Sequence, residues 1–179
     1  ELEPLKMGGT RFRVSLQALP ESAWCAGGME NVAFEVATNA GKKASVPFAP
    51  LSKIASGGEL SRFMLAVKVA LSEVRSTPTL IFDEIDTGTG GAVADAIGQR
   101  LARLGEKAQV LVVTHMPQVA AKGIEHLRVA KQEKKGVVTT SVELLDGAAR
   151  KEELARMLAG ASVTAEARKA AEKLLEAAC

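Results

Sequence analysis

The sequence predicts an α/β protein in which a parallel sheet core is flanked by antiparallel strands and further helices. Three features predict this class. The central part alternates helical stripes with short, wholly apolar runs, which are typical of buried parallel strands. The amino-terminal part alternates apolar and polar residues with a period of two, as half-buried antiparallel strands do. The last part ends in two segments with helical composition.

The amino-terminal part is predicted to form two strands, over residues 11–19 and 31–38. In each segment, alternate residues are apolar: Phe12, Val14 and Leu16, then Val32, Phe34 and Val36. This alternation is typical of a strand that buries one face. A turn-rich segment separates the two strands and a charged turn at 39–43 follows, so we expect an antiparallel pair.

The central part is predicted to alternate helices and strands. A helix begins near residue 60, because the apolar residues follow one stripe: Leu60, Phe63, Met64, Val67, Leu71 and Val74. Apolar runs at 79–82 and 109–113 predict two buried parallel strands. Between them, residues 92–104 carry a second helical stripe, and a short helix is predicted over 117–121.

The carboxyl-terminal part is predicted to contain two more strands, over 127–130 and 137–145, and two helices, over 151–158 and 164–178. We therefore expect one domain with three segments: flanking strands in 1–50, the core in 51–122, and strands with terminal helices in 123–179.

The composition limits the classes of function. Hydrophobic residues make up 47% and charged residues 25% of the 179 residues, so a folded domain is expected. Aromatic residues are only 3%, which argues against a protein that stacks bases on aromatic rings. The net charge of +2 provides no strong attraction to nucleic acid or to an anionic membrane. No apolar run approaches the ~18 residues that a membrane span requires.

The two cysteines, Cys25 and Cys179, lack the spacing of a metal site. The chain begins at Glu1 without an initiator Met or a signal segment, so we expect an internal piece of a cytoplasmic protein. In that reducing compartment, both cysteines are expected as free thiols.

A first candidate site lies at the start of the first long helix, in residues 55–62. Gly57 and Gly58 leave backbone amides uncovered, and the helix N-terminus adds partial positive charge. Ser56 adds a hydroxyl donor, so this segment is suited to bind a phosphate. The alternative is a capping box, in which Ser56 and Glu59 only satisfy backbone amides.

Polar residues also follow both predicted parallel strands, where ligands bind in open α/β sheets. After the first strand, Asp83 is suited to hold Mg²⁺ together with phosphate and water, and Glu84 to act as a general base. After the second, a neutral His115 is suited to contact a terminal phosphate or a water. The alternatives are an acidic helix cap and a structural histidine, as we expect for His126.

In this order, the three segments resemble the carboxyl-terminal half of an ATP-binding-cassette ATPase head. Residues 56–59 are similar to the signature motif, residues 80–84 to Walker B with its catalytic glutamate, and His115 to the switch histidine. Transport ATPases usually carry Gln where this chain has Glu59, and Pro where it has Ile85. These departures point to the SMC-like, chromosome-maintenance branch. Residues 56–66, 83–91 and 114–120 together are very similar to a bacterial DNA repair member of that branch.

This resemblance implies the carboxyl-terminal lobe of an SMC-like head, which hydrolyses ATP with Mg²⁺, dimerises and serves double-strand break repair and recombination. It implies that Asp83 supports Mg²⁺, Glu84 activates water and His115 senses the γ-phosphate. ATP held by a second head would be contacted by Ser56, Gly57, Gly58 and Glu59. The loop at the dimer seam would contain Asp86, Gly88 and Gly90.

No Gly-x-x-x-x-Gly-Lys-Ser/Thr motif occurs in the sequence. The resemblance implies that this P-loop (Walker A) lies in the amino-terminal half of the head, beyond a coiled coil. The expected partners are that half, the coiled coil, a second head and DNA. Two alternatives remain open: another cassette ATPase, such as a transporter subunit, and a non-catalytic half that only pairs with its partner.

The basic residues do not themselves indicate a DNA-binding surface. They are scattered over two predicted turns, and solvated turns account for them: Lys42, Lys43, Lys131, Lys134 and Lys135. DNA is expected as a partner only because the resemblance implies it, as is a cytoplasmic, nucleoid-associated location.

Overall fold

The computed structural model describes residues 2–38, 46–53, 57–71, 78–83, 85–134, 136–160 and 162–178. The chain forms two compact units, Glu1–Glu73 and Val74–Cys179. Their boundary lies inside the segment 51–122 that the sequence grouped as the core, so that grouping stays a prediction. The predicted α/β class, with parallel and antiparallel sheets, is confirmed.

The first unit is built on an antiparallel sheet. Its strands are β1 (Arg11–Ala18), β2 (Glu30–Ala37) and β3 (Ala49–Pro50), in the order β1-β2-β3. The predicted antiparallel pair β1–β2 is confirmed, and its eight residue pairs run from Arg11–Ala37 to Ala18–Glu30. The predicted buried face is wrong for all but Val36, since its other apolar residues are exposed: Phe12, Val14, Leu16, Val32 and Phe34. Alternation shows which residues share a face but not whether another element covers it. The sequence did not predict β3, because two residues are too few to show an alternating pattern.

Helix α1 (Gly57–Leu71) belongs to the same unit. The Phe63 ring lies 5.5 Å from the Phe12 ring of β1, and Phe12 stacks on Phe34 of β2 at 5.8 Å. The helix is therefore joined to the sheet through aromatic contacts, which favour offset and tilted rings at these separations.

The buried face of α1 differs from the predicted stripe. Met64 and Leu71 of that stripe are exposed, whereas Leu65, Ala66 and Val69 are buried beside Phe63. Because α1 is apolar on more than one side, its periodicity predicts a helix but does not decide which face meets the sheet.

The second unit contains a parallel strand pair joined through a helix. Strands β4 (Thr79–Asp83) and β5 (Gln109–Val113) pair in parallel, with Asp83 opposite Val113. Helix α2 (Gly91–Gly105) connects them and buries the predicted stripe: Val93, Ile97, Leu101 and Leu104.

Helix α3 (Pro117–Ala121) follows β5 and packs closely on α2. A Cβ atom at Gly98 of α2 would lie 2.9 Å from Cγ of Lys122 and 3.2 Å from the carbonyl oxygen of Gln118. Gly98 therefore allows the two helices to approach closely, which a larger residue would prevent.

The unit ends in a hairpin and two helices. Strands β6 (Leu127–Lys134) and β7 (Val137–Leu144) form an antiparallel pair, and helices α4 (Gly147–Ala159) and α5 (Ala165–Glu176) follow. Helix α4 begins four residues earlier than predicted. The reason is a side-chain cap, because the Ala149 amide donates to Asp146 at 2.8 Å.

Small residues allow α4 and α5 to pack closely against α3. Leu154 and Ala155 of α4 are fully buried with Ala171 of α5, and Ala121 and Ala167 complete this core. Beside it, the Arg156 guanidinium donates to both carboxylate oxygens of Glu153 and holds the pKa of that carboxyl below its usual range.

Arg150 of α4 donates hydrogen bonds to main-chain carbonyls at the end of α3 and just beyond it. Its guanidinium donates to four main-chain carbonyls that follow one another closely in sequence: those of Ala120, Ala121, Gly123 and Ile124. The last carbonyls of a helix lack partners within the helix, so Arg150 supplies them from a neighbouring element.

We expect Arg150→Met to lower the free energy of unfolding by about 1–3 kcal/mol, because it leaves partly buried carbonyls without donors. Urea unfolding of the purified chain measures the change. The control Lys169→Met removes an exposed cation of α5 and is expected to change stability by less than about 0.5 kcal/mol. Equal stability of the two variants would show that the Arg150 contacts contribute nothing.

Candidate functional site

The glycine-led segment lies at the start of α1, in the first unit. Gly57 is the first residue of the helix, and Glu59 is an acid in its first turn. Ser56 lies outside the described residues. Since the capping box requires the Ser56 hydroxyl, the structure does not choose between it and a phosphate site, and the roles of Gly57, Gly58 and Glu59 stay predictions.

In the second unit, the two parallel strands end at one edge of their sheet. Asp83 is the last residue of β4 and is exposed, and Glu84 lies outside the described residues. The chain then turns inward, because the side chains of Ile85 and Asp86 are fully buried.

The loop between β4 and α2 is closed by hydrogen bonds to the carbonyl of Asp86. The Thr89 amide donates to this oxygen at 3.1 Å and the Thr89 hydroxyl at 2.7 Å. Gly88 lies inside this turn with φ +69°, a left-handed conformation that favours glycine.

Gly90 has a different environment. A Cβ atom there would meet nothing within 4 Å among the described residues, and its φ of −94° is open to any residue. Nothing in the described chain therefore requires glycine at this position, and the predicted role of Gly88 and Gly90 at a dimer seam stays a prediction.

The fully buried Asp86 joins the loops that follow β4 and β5. The Thr114 hydroxyl donates to Oδ2 of Asp86, and the Met116 amide donates to the Thr114 hydroxyl oxygen at 2.9 Å. Nδ1 of His115 lies 3.7 Å from Oδ1 of Asp86, while the His115 side chain is 67% exposed.

The structure thus brings together three of the predicted site residues, Asp83, Asp86 and His115, at the carboxyl edge of β4 and β5. It places the Asp86 carboxylate inside the unit, although the sequence grouped this residue with the loop at a dimer seam. Sequence analysis assigned no role to Thr114. The available signal was a hydroxyl residue between a buried strand and a candidate histidine.

Among the described residues, no three His, Cys, Asp or Glu side chains form a group that could hold a metal ion. Mg²⁺ usually takes only one or two protein carboxylates and completes its shell with phosphate and water. An exposed carboxylate at the strand end, as at Asp83, fits this mode of binding. The carboxylate of Asp86 does not, because it is buried and already accepts from Thr114.

His126 lies in different surroundings. Burial lowers its pKa, the Arg150 charge lowers it further, and Glu153 opposes the shift. These neighbours belong to the α3–α4 packing, which agrees with the expected structural role. No helix within the described ranges has the length and apolar character needed to cross a membrane.

The fold has close counterparts among solved structures. A Smc head domain with a coiled coil and joint from Pyrococcus yayanosii matches 86% of this chain and 27% of that one, with a TM-score of 0.60 and 22% identity. A Smc head bound to the C-winged helix domain of ScpA matches 82% and 41%, with a TM-score of 0.55 and 22% identity. The fold is that of an SMC head domain, as predicted.

Curated relatives identify the branch. The chain is 49% identical over 175 residues to the DNA repair protein RecN of Xylella fastidiosa, 43% identical to that of Rickettsia bellii, and 40% identical over 180 residues to that of Halalkalibacterium halodurans. These matches cover 98–99% of the chain and 31% of each relative. No family model matches. The chain is similar to RecN along almost its entire length and has the SMC head fold, and it spans about a third of the length of these relatives.

Proposed function

We propose that this chain is the carboxyl-terminal half of an ATPase head that hydrolyses ATP to ADP and phosphate, dimerises when ATP binds, and serves double-strand break repair and recombination. The observation that carries the proposal is the placement of Asp83 at the end of β4 and of His115 just beyond the end of β5, at one edge of a parallel pair. The relatives are named DNA repair proteins, and a structural neighbour comes from work on ATP-driven dimerization of SMC ATPases. That neighbour has a TM-score of 0.54 at 17% identity and supports the fold alone.

Three residues that follow or end the parallel strands have separate roles in the proposed hydrolysis. Asp83 supports Mg²⁺, which neutralises phosphate charge when bound. Glu84 accepts a proton from the attacking water, as a general base adjacent to the reacting phosphate. His115 presents its exposed imidazole to the γ-phosphate, where a hydrogen bond reports whether that group is present.

The signature segment acts on ATP held by a partner head. In this proposal the amides at Gly57 and Gly58, the Ser56 hydroxyl and Glu59 close over the γ-phosphate from across a dimer seam. The seam also contains the loop with Gly88 and Gly90. The open space at Gly90 supports this assignment, because a position that no described residue crowds leaves room for a second backbone.

The remaining parts of the head come from further chain. The sequence contains no P-loop, and one face of the β4–β5 pair exposes Ile81 (70%), Leu111 (44%) and Val113 (62%). Parallel sheets are normally covered on both faces. We propose that the amino-terminal half of the head, which carries the P-loop, covers this face, and that a coiled coil joins the two halves.

DNA is the substrate that the complete protein repairs in this proposal, and its location is the bacterial cytoplasm at the nucleoid. The RecN relatives support a repair role over the alternative of a transporter subunit. The other alternative, a non-catalytic half, describes the chain when it is alone, because the P-loop lysine and amides are missing from it.

We expect the 179-residue chain alone to show no ATP turnover, and its mixture with the P-loop half of a RecN relative to hydrolyse ATP. The reason is that the chain lacks the amide cradle and lysine for the β- and γ-phosphates. Phosphate release measures turnover. The control is the same mixture with the P-loop lysine replaced by Ala, which is expected to be inactive. Turnover by the chain alone would refute the division of roles.

We expect Glu84→Gln to lower the hydrolysis rate of the complete head by roughly 10²- to 10⁴-fold, the usual contribution of a general base. Gln keeps the size of the side chain but does not accept the proton. ATP binding is expected to survive, so ATP-bound dimers accumulate, which light scattering detects. The control Glu133→Gln changes an exposed acid of β6 and should have no effect. An unchanged rate for Glu84→Gln would favour the helix-capping interpretation.

We expect Ser56→Arg to abolish ATP-dependent dimerisation and most hydrolysis, because the larger side chain blocks closure over the partner's ATP. Folding and ATP binding to the variant's own P-loop should persist. If Ser56 were only a helix cap, the loss would instead be about 0.5–2 kcal/mol of stability. Thermal unfolding, nucleotide binding and light scattering separate the two. Ser52→Arg, at an exposed site, is the control, and a variant that melts early yet dimerises normally contradicts the assignment.

A further inference from the structure

We propose that Asp86 is a positioning residue for His115: its buried carboxylate accepts a hydrogen bond from Nδ1–H of the imidazole, so that Nε2 is the nitrogen presented to the site. The contact itself depends only on the structure of the second unit. Its consequence for hydrolysis rests on the proposed function.

The first observation is a buried carboxylate oxygen that lacks a hydrogen bond. Asp86 is fully buried, and its Oδ2 accepts from the Thr114 hydroxyl. Its Oδ1 has no hydrogen-bond partner within the described part of the chain. Buried polar atoms are almost always paired, because an unpaired one loses its hydration without compensation. We therefore expect a hydrogen-bond donor close to Oδ1 of Asp86.

The second observation is the position of His115. Its Nδ1 lies 3.7 Å from Oδ1 of Asp86, slightly beyond a hydrogen bond, and its ring is largely exposed. A small rotation of the ring brings Nδ1 within hydrogen-bond distance without displacing the core. In a neutral histidine, the hydrogen bond made by one ring nitrogen decides which nitrogen carries the proton. A carboxylate facing Nδ1 places the proton there.

The orientation of the carboxylate is itself fixed. The Thr114 hydroxyl oxygen accepts from the Met116 amide, and the hydroxyl donates to Oδ2 of Asp86, which is nearer to it than the Met116 carbonyl oxygen at 3.5 Å. The main-chain carbonyl of Asp86 accepts from both the amide and the hydroxyl of Thr89. Because both loops hold Asp86, its second oxygen faces His115 with little freedom to turn away.

This arrangement gives Nε2 a defined chemistry. When the ring is neutral, Nε2 carries a lone pair and accepts from a water. When the ring is protonated, Nε2 donates to a phosphate oxygen while Asp86 balances the charge at Nδ1. The loop after β4, which the proposed function places at the dimer seam, would thereby control the orientation of the histidine.

The test is the tautomer of His115 in the 179-residue chain. Two-bond ¹H–¹⁵N spectra of the chain labelled at histidine distinguish Nδ1–H from Nε2–H rings, at a mildly alkaline pH where imidazole is neutral. The chain has two histidines, and His115→Gln assigns the signals. We expect His115 to be predominantly Nδ1–H. A predominantly Nε2–H ring would overturn the proposal without any variant of Asp86.

The variant Asp86→Asn sharpens the test. Since the Thr114 hydroxyl offers its proton to residue 86, the amide oxygen of Asn should face Thr114 and its NH₂ group should face His115. Nδ1 must then accept, so the ring is expected to shift to Nε2–H. The control Asp95→Asn, on α2 beside Lys122, should leave the tautomer unchanged. A folded Asp86→Asn chain whose ring stays Nδ1–H would overturn the proposal.

Hydrolysis by the complete head separates this inference from the proposed function. We expect Asp86→Asn to lower kcat about 10- to 100-fold, the usual effect of losing a group that orients a histidine, with nucleotide affinity unchanged. An Nδ1–H ring in a head without ATPase activity supports the contact and refutes the function. An active head with an Nε2–H ring supports the proposed function and refutes the contact between Asp86 and His115.

Discussion

The parallel pairing of β4 with β5 is the interaction on which the candidate site depends. Its register places Asp83 opposite Val113, so the residues that follow each strand emerge at the same edge although some 30 positions separate them in the sequence. Main-chain hydrogen bonds set this register, and α2, which buries its apolar stripe and contacts β5 and α3, stabilises it. This register therefore brings Asp86, after β4, within hydrogen-bond distance of Thr114, after β5.

The same strand pair bears on the proposal that this chain is one half of a head. One face of the pair is partly buried, and the opposite face leaves Ile81, Leu111 and Val113 exposed. A residue that binds phosphate from one edge also requires donors on the other side of the nucleotide, and the sequence contains no P-loop. In the proposed head, one additional segment both covers the exposed face of the pair and supplies the P-loop.

The periodicity of the sequence predicted where helices and strands lie better than it predicted which of their faces are buried. The strand pair β1–β2, the parallel pair β4–β5 and the buried stripe of α2 lie where the sequence predicted them. The predicted burial of the strands was wrong for most of their apolar residues, because a pattern does not show whether another element covers a face. The buried face of α1 also differs from the prediction, because that helix is apolar on several sides and the Phe12 ring decides which residues it covers. The four carbonyls at and after the end of α3 accept hydrogen bonds from Arg150, which lies 26 to 30 positions away in the sequence. A local sequence pattern does not predict such a contact.

The sequence by itself determined the α/β class, the order of the motifs and the presence of acids and a histidine at strand ends, because hydrophobic periodicity and strand-end placement are local properties. It also determined the family resemblance, which the RecN relatives confirm. Only the tertiary structure decided that Asp86 points into the unit, bonds to Thr114 and faces His115. An aspartate in a glycine-rich loop is compatible with solvent or with burial. Asp86 is buried because Thr114, which follows β5, donates a hydrogen bond to its carboxylate. The pairing of β4 with β5 brings this donor close to Asp86.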